Sequence, residues 1–166
     1  MRFKFCPHCG DSLIKKEIGD EGSVPFCRKC NEALFDIPVS CTMIFAVNEY
    51  GEAVLIKQGK YKDYGCISGY MKIGESAEDC TVREVKEEIG IKPYDVEYAG
   101  SYTFDEKEMI MLGFIAYVKK SEFMLSDEVK QAEWFEIKEA VNKLRDNTVG
   151  KRFAENCIER IDKNGR

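Results

Sequence analysis

Four acids and one arginine lie close together near the middle of the chain, and together they could hold a divalent metal ion against phosphate. They are Glu75, Arg83, Glu84, Glu87 and Glu88. Like charges one helical turn apart repel one another by roughly 0.2–0.5 kcal/mol per pair, so local stability does not favour the arrangement. Carboxylate oxygens are the ligands that Mg²⁺ and Mn²⁺ prefer, and Arg83 can fix the direction of a carboxylate. The alternative for the acidic run on its own is a solvated helix face.

A second set of residues able to bind metal lies near the N-terminus. It consists of two Cys-x-x-Cys pairs, Cys6 with Cys9 and Cys27 with Cys30, separated by residues 10–26. This spacing is typical of a four-cysteine zinc site. Four thiolates close a tetrahedral site, so Zn²⁺ would be structural here and would supply folding free energy to a segment too short for its own core. The pattern leaves rubredoxin-like iron and disulfides open as alternatives.

The acidic stretch is expected to form a helix from about residue 77 to residue 89. Ser76 is a good N-cap, Asp79 completes a capping-box pattern, and Gly90 is a typical stop. At about 100° per residue, three acids share one stripe of this helix, here called the acid stripe. The acid stripe consists of Glu84, Glu87 and Glu88, and a separate apolar stripe consists of Val82, Val85 and Ile89. We expect the apolar stripe to anchor the helix on a sheet.

Apolar and β-branched runs predict the strands that position this helix. The predicted strands are residues 41–47, 53–56, 96–104, 109–118 and 133–137, the predicted helices after them are 138–145 and 151–162, and residues 11–24 are predicted as a β-hairpin between the cysteine pairs. Strands mixed with few helices indicate an α/β sandwich rather than a doubly wound sheet. The predicted domains are a zinc ribbon, 1–38, and a main domain, 39–166.

Composition and charge limit the class of protein. The chain has 166 residues, 44% of them hydrophobic and 33% charged, with a formal net charge of -5. This composition is that of a soluble globular protein, and the negative charge argues against a broad nucleic-acid footprint. No apolar run approaches the roughly 20 residues that span a membrane, and no apolar signal segment precedes the first cysteine pair, so we expect a reducing cytoplasm. The remaining cysteines are then expected to be buried as small hydrophobes: Cys41, Cys66, Cys80 and Cys157.

The central stretch resembles the signature of the Nudix hydrolases. That signature reads Gly, five residues, Glu, seven residues, Arg-Glu, an aliphatic residue, any residue, Glu-Glu, any residue, Gly and an aliphatic residue. Every specified position is met, by Gly69, Glu75, Arg83, Glu84, Val85, Glu87, Glu88, Gly90 and Ile91. The resemblance implies an α/β/α sandwich with a loop–helix–loop site. It also implies hydrolysis of a nucleoside diphosphate linked to another moiety, by water attack at phosphorus, with Mg²⁺ or Mn²⁺.

The resemblance further implies a role for each residue of the motif. The acid stripe would supply metal ligands, with one of its members acting as the base. Glu75 and Arg83 would orient those acids, and the backbone at Gly69 would contact metal or phosphate. A further acid is expected before the strand that contains Trp134, and Glu128 is the candidate. The alternatives for that acid are Glu106 and Glu108.

A four-cysteine ribbon ahead of such a domain resembles the NADH pyrophosphatase group. That group cuts NAD(H) to a nucleotide monophosphate and AMP, and some members remove NAD caps from RNA, so the resemblance implies NAD(H) or ADP-ribose as substrate. The group's Ser-Gln-Pro-aromatic motif is absent, and the corresponding region, residues 99–105, reads Ala-Gly-Ser-Tyr-Thr-Phe-Asp. Residues that could stack a base are Tyr61, Tyr64, Tyr102, Phe104 and Trp134.

Two alternative functions remain open at this stage. One is a (d)NTP pyrophosphohydrolase for nucleotide-pool sanitation, and the other is a nucleotide-sensing or RNA-binding regulatory module. The complete set of motif glutamates favours an enzyme over a sensor. A small-molecule nucleotide is the expected partner, nucleic acid is not favoured, no membrane is expected, and a homodimer is a tendency that the resemblance implies.

Overall fold

The chain folds as two units, Met1–Pro38 and Val39–Arg166. The computed structural model describes residues 3–59 and 61–165. The smaller unit contains a three-stranded antiparallel sheet in the order β1-β2-β3. Its strands are β1 (Ile14–Glu17), β2 (Ser23–Cys27) and β3 (Glu32–Ala33). The predicted hairpin between the cysteine pairs is therefore present, with a short 3-10 helix, Gly19–Glu21, at its tip.

The larger unit is built on a six-stranded mixed sheet. Its strands are β4 (Val39–Asn48), β5 (Glu52–Gln58), β6 (Ile67–Tyr70), β7 (Asp95–Phe104), β8 (Met109–Val118) and β9 (Val129–Glu136). Its helices are α1 (Ala77–Ile89), α2 (Ile137–Lys143) and α3 (Val149–Asn164). The strand order is β7-β8-β4-β5-β9, with β6 also paired to β4. Strands β4 and β8 are parallel and the other pairs are antiparallel.

Helices cover both faces of this sheet, which explains the nearly continuous apolar sequence of β4. On one face, Phe45 packs in a core with Phe153 of α3 and residues of α2. On the other face, Ile44 packs in a second core with Val85 and Ile89 of α1. The predicted α/β/α sandwich is confirmed.

Two local predictions differ from the structure. The predicted strand 133–137 ends at Glu136, whose carboxylate accepts the Lys138 N–H at 2.9 Å and so starts α2 one residue early. Strands β4 and β5 form an antiparallel hairpin that pairs at Ala46–Val54 and Val47–Ala53, and β6 pairs with the Cys41–Ile44 part of β4. Strand β6 was not predicted. Among the described helices, none is long and apolar enough to cross a membrane.

Candidate active site

Helix α1 begins and ends where the sequence predicts. The Ser76 hydroxyl accepts a hydrogen bond from the Asp79 N–H at 3.1 Å and donates one to the Asp79 carboxylate at 2.7 Å. At the other end Gly90 is left-handed, with φ of 77°, and its N–H donates to the Lys86 carbonyl at 3.0 Å. Both caps satisfy backbone groups that the helix itself cannot, so they fix the position of the acid stripe.

The three acids of the acid stripe differ in how deeply they are buried. Glu84 and Glu88 are only 9% and 5% exposed, whereas the Glu87 side chain is 53% exposed. A solvated helix face therefore describes Glu87 but not the other two acids. The apolar stripe is buried at Val85 and Ile89, as predicted, but Val82 is only half-buried.

Arg83 joins the acids into one network. Its Nε and Nη2 donate to the two Glu75 carboxylate oxygens at 2.6 and 2.9 Å, which is a bidentate pair. Its Nη1 donates to Glu84 Oε1 and, at 2.9 Å, to Glu87 Oε2. Its Nη2 also donates to the Tyr70 carbonyl at 3.0 Å, which connects the guanidinium to β6. One cation thus sets the direction of three carboxylates.

The pKa of the Glu75 carboxyl reports the strength of this network. The Arg83 guanidinium, assisted by the Lys72 N–H at 3.0 Å, lowers that pKa to about 2. A carboxyl whose pKa is lowered by folding stabilises the fold above its unfolded pKa, and that stabilisation disappears as the pH falls toward the folded pKa.

We therefore expect Glu75→Gln to lower the urea midpoint of unfolding at pH 7 and to lower it much less at pH 3. The reason is that at pH 3 the unfolded carboxyl is already protonated, so the wild-type chain has itself lost most of the stabilisation that Glu75 provides. Glu122→Gln, which replaces an exposed acid in a loop, is the control and should change the urea midpoint equally little at pH 7 and at pH 3. A decrease in the midpoint of Glu75→Gln that is the same at both pH values would contradict the prediction.

Gly69 leaves room for the Glu84 carboxylate. It lies in β6 opposite Thr42 of β4. A Cβ at this position would lie 1.8 Å from Glu84 Cδ and 2.0 Å from Glu84 Oε1. Only glycine therefore permits the observed position of Glu84. The contact of Gly69 with metal or phosphate stays a prediction.

Glu88 is bound differently from the other acids. Its Oε1 accepts a hydrogen bond from Gln58 Nε2 at 2.6 Å, and its Oε2 is buried without a partner among the described residues. Burial, together with the like charges of Glu84 and Glu128, raises the pKa of the Glu88 carboxyl to about 8. Burial also raises the pKa of Glu84, although Arg83 opposes that shift.

The three acids of the acid stripe line an open cleft of about 790 Å³. Glu128 lines the same cleft, as the sequence predicts for the further acid. Within the described part of the chain, the alternatives Glu106 and Glu108 do not line it, although their neighbours Lys107 and Met109 do. Apolar and cationic side chains also line the cleft: Cys41, Met71, Phe104, Met109, Met111, Lys72 and Lys107.

Sequence reasoning missed several polar residues of the cleft, among them Gln58, Ser68, Ser126 and Asp127. One signal was available for Gln58, since it follows Val54 and Ile56 at the two-residue spacing that places side chains on one face of a strand. Ser126 and Asp127 lie in the segment between β8 and β9 and carry no comparable pattern. The Ser126 hydroxyl, like Glu88 Oε2, is buried without a partner among the described residues.

The acidic residues fit a divalent cation. Burying carboxylates close to one another is unfavourable without a compensating positive charge, and Arg83 does not contact Glu88 within the described structure. The Glu88 Oε2 atom, which has no partner among the described residues, is a hard oxygen of the kind that Mg²⁺ and Mn²⁺ bind. Glu84 and Glu128 carry charge close enough to act on Glu88, and the more exposed Glu87 lines the same cleft, so these four acids are the candidates to hold an ion.

The four cysteines form a separate cluster that could hold a metal ion. Their sulfur atoms all lie within 4.8 Å of one another, with 3.9 Å between Cys6 and Cys30 and 3.6 Å between Cys9 and Cys27. These distances are too long for disulfides and match the ~3.8 Å edge of a tetrahedron with Zn–S bonds of about 2.3 Å. The Cys30 N–H donates to the Cys27 sulfur at 3.4 Å, as a thiolate ligand requires. The cluster supports a zinc ribbon.

Replacing Cys27 by serine is expected to abolish stoichiometric zinc binding, because Cys27 is fully buried at the cluster and a closed site tolerates no missing thiolate. The measurement is metal content by mass spectrometry of protein expressed with zinc. Cys66→Ser, outside the cluster, is the control. Zinc retained at one equivalent in the Cys27 variant would show that the cluster is not the zinc site.

Comparison with known protein families agrees with the sandwich and its acidic helix. A family model described as the NUDIX domain matches residues 38–157. Proteins described as NAD-capped RNA hydrolase NudC, from Pseudomonas aeruginosa and Pseudomonas putida, are 33% identical to the chain over 138 residues, covering 81% of this chain and 48% of each relative. The chain therefore spans about half the length of these curated relatives.

Solved structures give the same fold. A NUDIX hydrolase from Nitrosomonas europaea has a TM-score of 0.72 at 19% identity, covering 98% of this chain and 93% of that chain. The NUDIX domain of Shewanella oneidensis NrtR, solved in complex with ADP ribose, has a TM-score of 0.66 at 13% identity, covering 82% of this chain and 94% of that chain. At these identities the likeness shows the fold alone.

Proposed function

Because the chain belongs to the NUDIX family, we propose that it is a hydrolase that uses divalent metal ions to cleave the diphosphate linkage of a nucleoside diphosphate bonded to another moiety. The observation that carries this proposal is the pair of buried acids, Glu84 and Glu88, lining a cleft beside the orienting Arg83. Arg83 compensates the charge of Glu84, but burying the Glu88 carboxylate is unfavourable to the fold unless a bound cation compensates it.

Each residue of the site has a definite task in this reaction. Mg²⁺ or Mn²⁺, when bound, neutralises the charge of the diphosphate and activates water. Arg83 holds the carboxylates of Glu75, Glu84 and Glu87 in fixed directions, so that little reorganisation is needed when substrate binds. One acid of the acid stripe takes the proton of the attacking water.

The apolar part of the cleft supports a substrate with an aromatic group. Of the aromatic residues considered from the sequence, Phe104 is the one that lines this cleft within the described structure. Tyr102 instead packs on Phe153, and Trp134 stacks on Phe123. The Lys107 ammonium lies 5.3 Å from the Phe104 ring centroid, so a cation is close to the same surface. A base or nicotinamide ring with an attached diphosphate fits both features.

NAD(H) and ADP-ribose are therefore the substrates that we propose first. The relatives described as NAD-capped RNA hydrolases support the inclusion of NAD-capped RNA as a third candidate. None of the eight cysteines, all of them within the described residues, forms a disulfide, which fits a reducing compartment and supports a cytoplasmic location. A homodimer stays a prediction of the family resemblance, and sedimentation analysis would test it.

The test is a substrate panel with Mg²⁺ or Mn²⁺ and, separately, with EDTA. The panel contains NADH, ADP-ribose, NAD-capped RNA and the (d)NTPs, and products are separated by chromatography. Two monophosphates from a dinucleotide would support the proposal, whereas pyrophosphate from a triphosphate would favour nucleotide-pool sanitation. Glu88→Gln prepared in parallel excludes a contaminating hydrolase. If no substrate is cleaved with either metal, the proposed hydrolase function fails and a nucleotide-sensing role gains support.

A further inference from the structure

Gln58 lies outside the signature motif but contacts its most buried acid. It is the last residue of β5, and its Nε2 donates to Glu88 Oε1 at 2.6 Å. In β5, Val54 and Ile56 face α1 and pack in the core with Val85. Side chains alternate along a strand, so Gln58 continues this face beyond the end of the apolar core. Strand β5 therefore places the Gln58 side-chain amide beside the C-terminal turns of α1.

Lys57, which precedes Gln58 in β5, lies beside Tyr64 instead of Glu88. The Lys57 ammonium lies 4.2 Å from the centroid of the Tyr64 ring, and Tyr64 packs against the core on the other face of the sheet. Had the two residues been exchanged, an ammonium would face Glu88 and neutralise it. An amide instead provides a hydrogen bond and leaves the negative charge of the carboxylate in place.

The backbone around Gln58 is fixed to the segment that carries Glu128. The pairing of β5 with β9 is irregular at this point, since Lys57 is opposite Gln131 but Gln58 is opposite Val129. The next residue, Gly59, donates its N–H to the Glu128 carbonyl at 3.0 Å. The irregularity thus brings Gln58 and Glu128 to the same end of the cleft as Glu88.

We propose that Gln58 is a positioning residue for metal binding, holding Glu88 by Oε1 so that the unpartnered Oε2 is available to the ion. This inference rests on the proposed metal-dependent function. Residues that orient metal ligands typically contribute a factor of about 10–100 to metal affinity or activity. Arg83 orients the other acids of the network by charge, and Gln58 orients Glu88 without charge.

The test measures Mn²⁺ binding directly, on the zinc-loaded full chain without substrate, from the electron paramagnetic resonance signal of free Mn²⁺. Gln58→Leu keeps the approximate size but removes the donor, and Gln58→Asn keeps the amide but shortens its reach. Both should weaken Mn²⁺ binding about 10–100-fold. Gln131→Leu, in β9 and outside the cleft lining, is the matched control and should bind Mn²⁺ as the wild type does.

A second readout separates positioning from general damage to the fold. At saturating Mn²⁺ and with a cleaved substrate, Gln58→Leu should have a nearly normal KM, with the loss confined to the Mn²⁺ concentration needed for half-maximal rate. The inference is overturned if Mn²⁺ affinity in both Gln58 variants stays within about threefold of the wild type, or if Gln131→Leu weakens it equally.

The failure of this inference can be distinguished from that of the proposed function. If no substrate is cleaved, the proposed function fails, while weaker Mn²⁺ binding by the Gln58 variants still supports the positioning role. If Glu88→Gln binds Mn²⁺ as tightly as the wild type, Glu88 is not a ligand and the role of Gln58 is disproved, whether or not hydrolysis occurs.

Discussion

Glu88→Gln is expected to lower kcat by about 10²–10³-fold while leaving the protein folded. The substitution preserves the size of the side chain and removes its charge, so it deletes a hard oxygen ligand without creating a cavity. Metal ions contribute several kcal/mol to charge stabilisation in the transition state, and each ~1.4 kcal/mol corresponds to a factor of ten in rate. The measurement is steady-state hydrolysis of the substrate that the panel identifies.

The thermal stability of Glu88→Gln is an internal control for the predicted loss of activity. Glu88 is 5% exposed with an unpartnered oxygen, so its charge is unfavourable to the metal-free fold. Without added Mg²⁺ or Mn²⁺, zinc-loaded Glu88→Gln should therefore melt at the wild-type temperature or above it. Glu78→Gln, at an exposed position on the same helix, should leave kcat within about twofold. Loss of activity accompanied by a large drop in melting temperature would show that Glu88 serves the fold rather than the reaction.

The parts of the site that depend on neighbouring residues could be predicted from the sequence. Ser76 and Gly90 set the ends of α1 through hydrogen bonds only three or four residues long, so local pattern was sufficient. The spacing of Arg83 and the acids along one helix is likewise a local property. Glu128 was found through its distance in sequence from the Trp134 strand, which the family resemblance made meaningful.

The parts that depend on strand pairing could not be predicted. Strand β6 exists because Cys41–Ile44 of β4 offer it a free edge, and nothing in the residues 67–70 themselves indicates a strand. Gln58 and Glu88 are 30 residues apart in the sequence, so the two-residue spacing in β5 could indicate the face that Gln58 shares but not its contact with Glu88. Phe104, rather than Tyr102, lines the cleft because Tyr102 packs in the core against Phe153.

Gly69→Ala is expected to reduce kcat/KM by about 100-fold, since misplacement of a reacting group by about 1 Å can have this effect. The added Cβ would lie 1.8 Å from Glu84 Cδ, far inside any permitted contact, so the Glu84 carboxylate must leave its position and its bond with Arg83. Gly65→Ala is the matched control, because nothing lies within 4 Å of a Cβ there. Kinetics that are equal for the two variants would contradict the prediction.

A double-mutant cycle identifies Glu84 as the group that Gly69 accommodates. Crowding of this kind destabilises folded proteins by about 1–3 kcal/mol, which urea unfolding of Gly69→Ala should detect. In a Glu84→Ala background the carboxylate is gone, so the same Gly69→Ala change should lose most of that effect. If the changes in unfolding free energy of the two single variants simply add in the double variant, the methyl group added at position 69 clashes with a group other than the Glu84 carboxylate. Strong coupling would show that the first glycine of the motif is needed to seat its first helix-borne acid, which is a steric requirement acting alongside any contact between the Gly69 backbone and substrate.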